Sequence, residues 1–135
     1  MRTIKFRGKI LESNIGCDKN VGDWVYGELH LLSKNPHIHT INKKYIIDTE
    51  TIGQFTGLYD CNEKEIYEGD ILRHIHWENN EEILYYITFE EEMGSFVLQK
   101  PILKRKVNIT QMEIYGLKLE VIGNIHDNPE LLKGE

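Results

Sequence analysis

The sequence predicts an all-β protein: a small mixed β unit over residues 1–65, then an SH3-like barrel over residues 66–135, with very little helix. Three observations carry that expectation. Apolar residues recur along the chain with a period of two, the period of a strand. Clusters of Gly, Asn, Asp and Ser punctuate the apolar segments at short intervals. No segment sustains the stripe of an amphipathic helix. The 135 residues and 15.9 kDa are enough to bury a core unaided. With 40% hydrophobic and 28% charged residues, the composition excludes a disordered, collagen-like or membrane-spanning chain. The first residues carry charge with no apolar segment behind them, so no signal peptide is expected.

In the first half, Ile4 and Phe6 alternate with Lys5 and Arg7. Trp24, Tyr26, Leu29 and Leu31 define a second strand segment, Ile38 and Thr40 a third, and Tyr45-Ile46-Ile47 a fourth. Gly53 to Gly57 is a short β-prone run bounded by glycines, and Asp60 to Lys64 is a polar turn. In the second half, Ile71–Trp77 and Ile83–Phe89 read as a hairpin closed by the polar loop 78–82. Phe96–Gln99 follows the turn 90–95. The stretch 100–115 reads as a loop and then a strand, and Leu119–Ile125 as the last strand. Short helical turns are expected near Asp48–Thr51 and at Pro129–Leu132, where a proline stands at the first helical position. Five strands in the second half suit a small SH3-like barrel. No low-complexity linker separates the halves, so they are expected to share an interface.

The net charge is 16 − 22 = −6, and it is uneven. Residues 1–60 hold eight basic and seven acidic side chains (+1); residues 61–135 hold eight and fifteen (−7). A polyanion would therefore meet the first half more readily. Candidate nucleic-acid contacts form two clusters: Arg2, Lys5, Arg7 and Lys9, and Lys100, Lys104, Arg105 and Lys106. The aromatic residues Trp24, Tyr26, Trp77, Tyr85, Tyr86 and Phe96 could stack on bases beside them, or fill a core. Cys17 and Cys61 are too few for a disulfide framework and lack metal spacing, so two free thiols in a reducing cytoplasm are expected.

Two His-x-His pairs, His37/His39 and His74/His76, could each place both imidazoles on one strand face toward a metal. Neither pair has a third ligand at a supporting spacing, so the plainer reading is a polar strand face. The glutamate runs 81–82 and 90–92 read as solvated turns. There is no phosphate-cradling glycine loop, nucleophile elbow or His-Glu-x-x-His, and no cofactor is expected.

One block stands out: Thr51-Ile52-Gly53-Gln54-Phe55-Thr56-Gly57-Leu58-Tyr59-Asp60, followed by Lys64-Glu65-Ile66-Tyr67-Glu68-Gly69-Asp70-Ile71-Leu72. It resembles the signature of the YopX family of bacteriophage and prophage proteins. Ile4-Lys5-Phe6-Arg7, Trp24-Val25-Tyr26-Gly27 and Glu120 to Leu132 extend the resemblance over nearly the whole chain. One departure is the absence of the family's glycine from the turn 60–65, which leaves Asn62 as the residue expected at positive φ. The resemblance implies a phage or prophage origin, a bacterial cytoplasm, an SH3-like barrel and self-association. It implies no activity.

Within the block, Gly69 and Asp70 are expected to shape the entry to a strand, with Phe55 and Leu58 in the core. The polar residues Gln54, Thr56, Asp60, Glu68 and Asp70 either hold the fold together or line a partner site. Three functions follow. The first is a non-enzymatic, homo-oligomeric module that binds a host or phage protein. The second is a nucleic-acid-binding module using the basic clusters. The third, a metal-assisted enzyme using His74, His76 and the glutamates, has least support.

Overall fold

The computed structural model describes residues 2–12, 18–31, 34–101 and 106–133. Cys17, Lys104 and Arg105 lie outside them. Among the described residues the protein is mostly β, with one α-helix and two 3-10 turns, as the period-two pattern predicts. No helix among them is long and apolar enough to cross a membrane. The chain divides into two compact units, Met1–Phe55 and Thr56–Glu135.

The first unit contains β1 (Phe6–Glu12), β2 (Trp24–His30), β3 (His37–His39) and β4 (Lys44–Ile47). Each pairs antiparallel with the next, and β4 returns to β1, so four strands close a barrel. Alternation decides which side chains fill it. Ile10, Val25, Ile38, Tyr45 and Ile47 point inward and are at most 3% exposed. Burial of each side chain of this size contributes about 1.5–3 kcal/mol. The 3-10 turn Thr49–Thr51 is capped by Asp48, whose carboxylate accepts from the Glu50 N–H. Strand β5 (Gly53–Tyr59) starts against β1, with Gln54 opposite Phe6. The division between the units falls inside this strand.

The second unit contains β6 (Glu65–Tyr67), β7 (Asp70–Ile75), β8 (Glu82–Glu90), β9 (Ser95–Gln99), β10 (Lys106–Asn108), α1 (Gln111–Gly116) and β11 (Glu120–Asn124). A five-stranded antiparallel sheet runs β10-β9-β8-β7-β11. Four consecutive strands meander, and the fifth returns beside the first after a helical turn. That is the strand order of an SH3-like barrel. Ile66, Leu72, Ile87, Leu98, Ile114, Leu119 and Val121 form its core. The 3-10 turn Pro129–Leu132 closes the described chain.

The structure corrects three local expectations. Residues 100–115, expected as a loop and a strand, carry the short strand β10 and then the helix α1. Only Ile114 of that helix is buried, so it leaves almost no stripe in the sequence. Trp77 lies beyond the end of β7 and is 81% exposed. In the turn after β5, Glu63 rather than Asn62 takes the positive φ, at 65°. The Asp60 carboxylate accepts from the Asn62 N–H and so fixes Asn62 in the turn ahead of it.

Candidate functional site

The outward face of the first unit collects most of the chemically versatile side chains. In β1 and β2, Arg7 is opposite Tyr26 and Lys9 opposite Trp24, so these four share one face. Arg7 lies over the Trp24 ring at 4.6 Å and Lys9 at 5.4 Å; Lys5 lies over Phe55 at 5.4 Å. Arg7 is only 6% exposed, so its cation serves the Trp24 ring before it can serve a ligand. Arg2, the remaining member of the cluster, is exposed.

The same face continues across β2 to β3. Glu28 is opposite His39, and His30 is opposite His37, while Leu29 and Ile38 between them face the core. The His30 and His39 rings stack with centroids 3.7 Å apart, and His37 meets His39 edge-on at 6.4 Å. His30 Nε2 lies 3.4 Å from the Glu28 carboxylate. His37 Nδ1 donates to the Asn35 carbonyl at 2.8 Å, which fixes its tautomer. The His39 imidazole is held below the usual histidine range, first by desolvation and then by His30, His37 and Lys44.

A cleft of about 760 Å³ opens beside this array, lined among others by Lys5, Tyr26, His39, Asn42, Lys43 and Tyr45. Across it, Lys43 donates to Asp18 at 2.9 Å and holds that carboxyl below its usual range; the Tyr45 hydroxyl donates to Asp18 as well. The cleft wall therefore carries charges of both signs set in a mostly apolar and aromatic surface.

The signature block, most of which lies in the second unit, is employed differently. Asp60 is 1% exposed. Its Oδ1 accepts from the N–H groups of Asn62 at 2.8 Å and Lys64 at 2.9 Å, and its Oδ2 accepts from Val121 at 3.0 Å. Asp70, 2% exposed, accepts from the Tyr67 N–H at 2.7 Å across the turn that Gly69 permits at φ 93°. Thr56 Oγ1 donates to the Ile66 carbonyl and accepts from the Leu58 N–H. Gln54 and Glu68 are half-buried. Asp60, Asp70 and Thr56 thus organise the chain's own backbone, which is the structural account of this block.

Of the second basic cluster, Lys106 is paired with Glu90, which lowers the Glu90 carboxyl and raises the Lys106 amine. Lys100 lies over the Tyr85 ring at 5.8 Å. The His74 and His76 rings meet edge-on at 6.4 Å; His74 also donates from Nδ1 to the Leu117 carbonyl, and His76 stacks on Trp77 with centroids 6.2 Å apart. Cys61 is a half-buried free thiol. Desolvation, then Asp60 and Glu120, push its pKa up. A raised pKa leaves less thiolate at pH 8, so iodoacetamide is expected to alkylate Cys61 several-fold more slowly than free cysteine. The rate should catch up only above the usual thiol range. Peptide mass spectrometry over a pH series reads this, and equal rates at pH 8 would contradict it.

Sequence reasoning paired His37 with His39 and missed His30. The signal was the β2–β3 register, which needs the turn position as well as the strand pattern. It also missed Gln111. Its side-chain amide accepts from the Tyr59 N–H at 2.9 Å and donates to the Tyr59 carbonyl at 2.7 Å, tying α1 to the end of β5.

These features define a class: a small, mostly β protein with a closed four-stranded barrel and an SH3-like sheet. Among the described residues, no group of three or more His, Cys, Asp or Glu side chains could hold a metal ion. A model of the family described as YopX protein matches residues 6–133, and the chain belongs to that family. Its fold is similar to that in the crystal structure of protein EF1440 from Enterococcus faecalis. The TM-score is 0.58 at 22% identity, covering 98% of this chain and 100% of that one. No curated protein matches.

Proposed function

We propose that the protein is a phage- or prophage-encoded binding or assembly module without catalytic chemistry, working as a homo-oligomer on a host or phage protein in the bacterial cytoplasm. The observation that carries this reading is a set of exposed apolar side chains on α1 and near the ends of β5 and β7 in the second unit. Met112 is 86% exposed and Trp77 81%; Tyr59, Ile75, Tyr115 and Leu117 are each partly exposed. The Gln111–Tyr59 and His74–Leu117 hydrogen bonds bring the elements that bear them together. Aromatic and Met anchors of this kind are favoured at protein interfaces.

The test is a tagged pull-down from host lysate with and without nuclease, alongside light scattering of the purified chain. The expected result is an oligomer and a specific protein that survives nuclease. Trp77→Glu with Met112→Glu should release both, with the fold retained. A monomer that captures nothing removes the reading.

A second reading, nucleic-acid binding, is favoured by the β1–β2 face. The first unit carries eight basic and six acidic residues, +2, against 8 − 16 = −8 for the second. Arg2, Lys5 and Lys9 supply the cations and Tyr26 a ring that is 47% exposed. Three phosphate contacts predict a slope near −2 in log affinity against log salt for a single strand. Lys5→Ala with Lys9→Ala should flatten that slope by more than half. A salt-independent affinity would eliminate this reading.

A further inference from the structure

We infer that the cleft at the end of the four-stranded barrel binds one nucleotide unit, an aromatic base carrying a phosphate. This goes beyond both readings above. It concerns a single unit, free or within a strand, and it stands even if the β1–β2 face binds no nucleic acid.

The size and place of the cleft come first. Its volume of about 760 Å³ falls within the roughly 300–1,000 Å³ of clefts that enclose small ligands, and the mouths of β-barrels are a recurrent place for them. One wall is Thr40 to Lys43, the turn that joins β3 to β4. The Thr40 N–H donates to the Lys43 carbonyl at 2.8 Å and closes that turn. Every lining residue belongs to the first unit, which is the basic one.

The second observation is a ring set among cations. Tyr26 lines the cleft and is 47% exposed. A partly exposed phenol ring offers a stacking surface to any base. Lys5 and Lys19 line the cleft as well, and an ammonium group holds phosphate as a point charge. Lys43 is engaged by Asp18 at 2.9 Å, so Lys5 and Lys19 remain against the single carboxylate of Glu28. The balance on the wall favours an anion.

The third is the hydrogen-bonding inventory, which separates a base from other aromatic anions. Asn42 carries both a donor and an acceptor. So does the His39 imidazole, which desolvation and its basic neighbours keep neutral at pH 7. The edge of a base mixes donors and acceptors in the same way, whereas an aromatic carboxylate has acceptors alone. Ile41 completes the rim. It is 98% exposed in the turn, where it supports neither the turn nor the core, and it extends the apolar surface over which a base would lie.

The experiment titrates the full chain by calorimetry, with amide shifts as a second readout. The probes are AMP, TMP, adenosine, inorganic phosphate and a short oligothymidylate. The expected result is one mononucleotide per chain, bound about tenfold or more tightly than adenosine or phosphate alone. Tyr26→Ala should weaken it about tenfold, and so should Lys5→Ala with Lys19→Ala. Lys9→Ala, outside the cleft, should leave it as it is. Should Tyr26→Ala fail to fold, Ile41→Glu takes its place, because a residue this exposed can carry a carboxylate without disturbing the core. That carboxylate should repel the phosphate and weaken binding by a similar factor. The oligothymidylate identifies the source of the unit: tighter binding than TMP means a strand, equal binding a free nucleotide. No saturable mononucleotide binding, equal binding of adenosine or phosphate alone, or affinity unchanged in the Tyr26 and Ile41 variants overturns the proposal. A strand that binds the Ile41→Glu variant as tightly as the unaltered protein also overturns it, while leaving the β1–β2 face reading in place.

Discussion

Replacing Asp60 by alanine is expected to cost the protein about 3–5 kcal/mol, the largest effect of any single polar substitution in the second unit. Asp60 is 1% exposed, and its two oxygens accept three backbone N–H groups. Two of them belong to the turn after β5. The third belongs to Val121 in β11, 61 residues away along the chain. Alanine strands all three donors, and no water replaces the acceptor where the site is closed. Asp60→Asn is a sharper test, because the amide keeps one acceptor oxygen. That oxygen can serve Asn62 and Lys64, but the amide then presents N–H to the N–H of Val121. The loss should therefore be about 2 kcal/mol, less than for alanine and well above zero. Urea unfolding of the three proteins measures this. A loss below about 1 kcal/mol for Asp60→Ala, with partner capture abolished, would reassign the residue from the fold to a binding surface.

Gly27→Ala is expected to destabilise the first unit by about 3 kcal/mol, for an unrelated reason. A Cβ at Gly27 would stand 2.2 Å from the His39 carbonyl oxygen, closer than any real contact of this kind. That oxygen belongs to the backbone of β3 and cannot swing aside as a side-chain tip could. The β2–β3 pair must part, and the outward array of Glu28, His30, His37 and His39 parts with it. Gly22→Ala is the matched control. Its φ of 91° also disfavours a side chain, but nothing lies within 4 Å of the added carbon, so about 1 kcal/mol is expected. Hydrogen exchange at Glu28 and His39, whose amides face each other across β2–β3, should accelerate in Gly27→Ala and stay slow in Gly22→Ala. Equal losses in the two variants would mean that close approach is not what excludes a side chain at position 27.

Much of this fold was legible because its physics is local. The period of two marks β7, β8 and β9, whose partners follow in sequence. The 3-10 turns at Thr49–Thr51 and Pro129–Leu132 announce themselves through Asp48 and Pro129. The helix α1 did not, because six residues with one buried side chain give periodicity nothing to detect. A capping signal was nonetheless present. Thr110 and Glu113 stand at the spacing of a capping box, and the Thr110 hydroxyl accepts from the Glu113 N–H at 3.2 Å.

The candidate site was only half legible. His37 and His39 form a visible pair, and the cations of β1 a visible run. Joining them to His30, Glu28 and Trp24 requires strand pairing across separate turns, which depends on packing that no short window contains. The reverse holds for Asp60. Its polarity in a turn is obvious in the sequence, while its burial and its link to Val121 exist only in the folded chain.

The Gln111 amide bears on how the molecule coexists with its own copies at high concentration. Beyond the part of β5 that pairs with β1, the N–H and C=O of Tyr59 would offer an open rung to any extended peptide. Gln111 occupies both positions of that rung, as a neighbouring strand would, yet it brings no backbone that could extend the ladder. A single side chain thereby blunts a template for amyloid-like growth without charge, proline or a bulge.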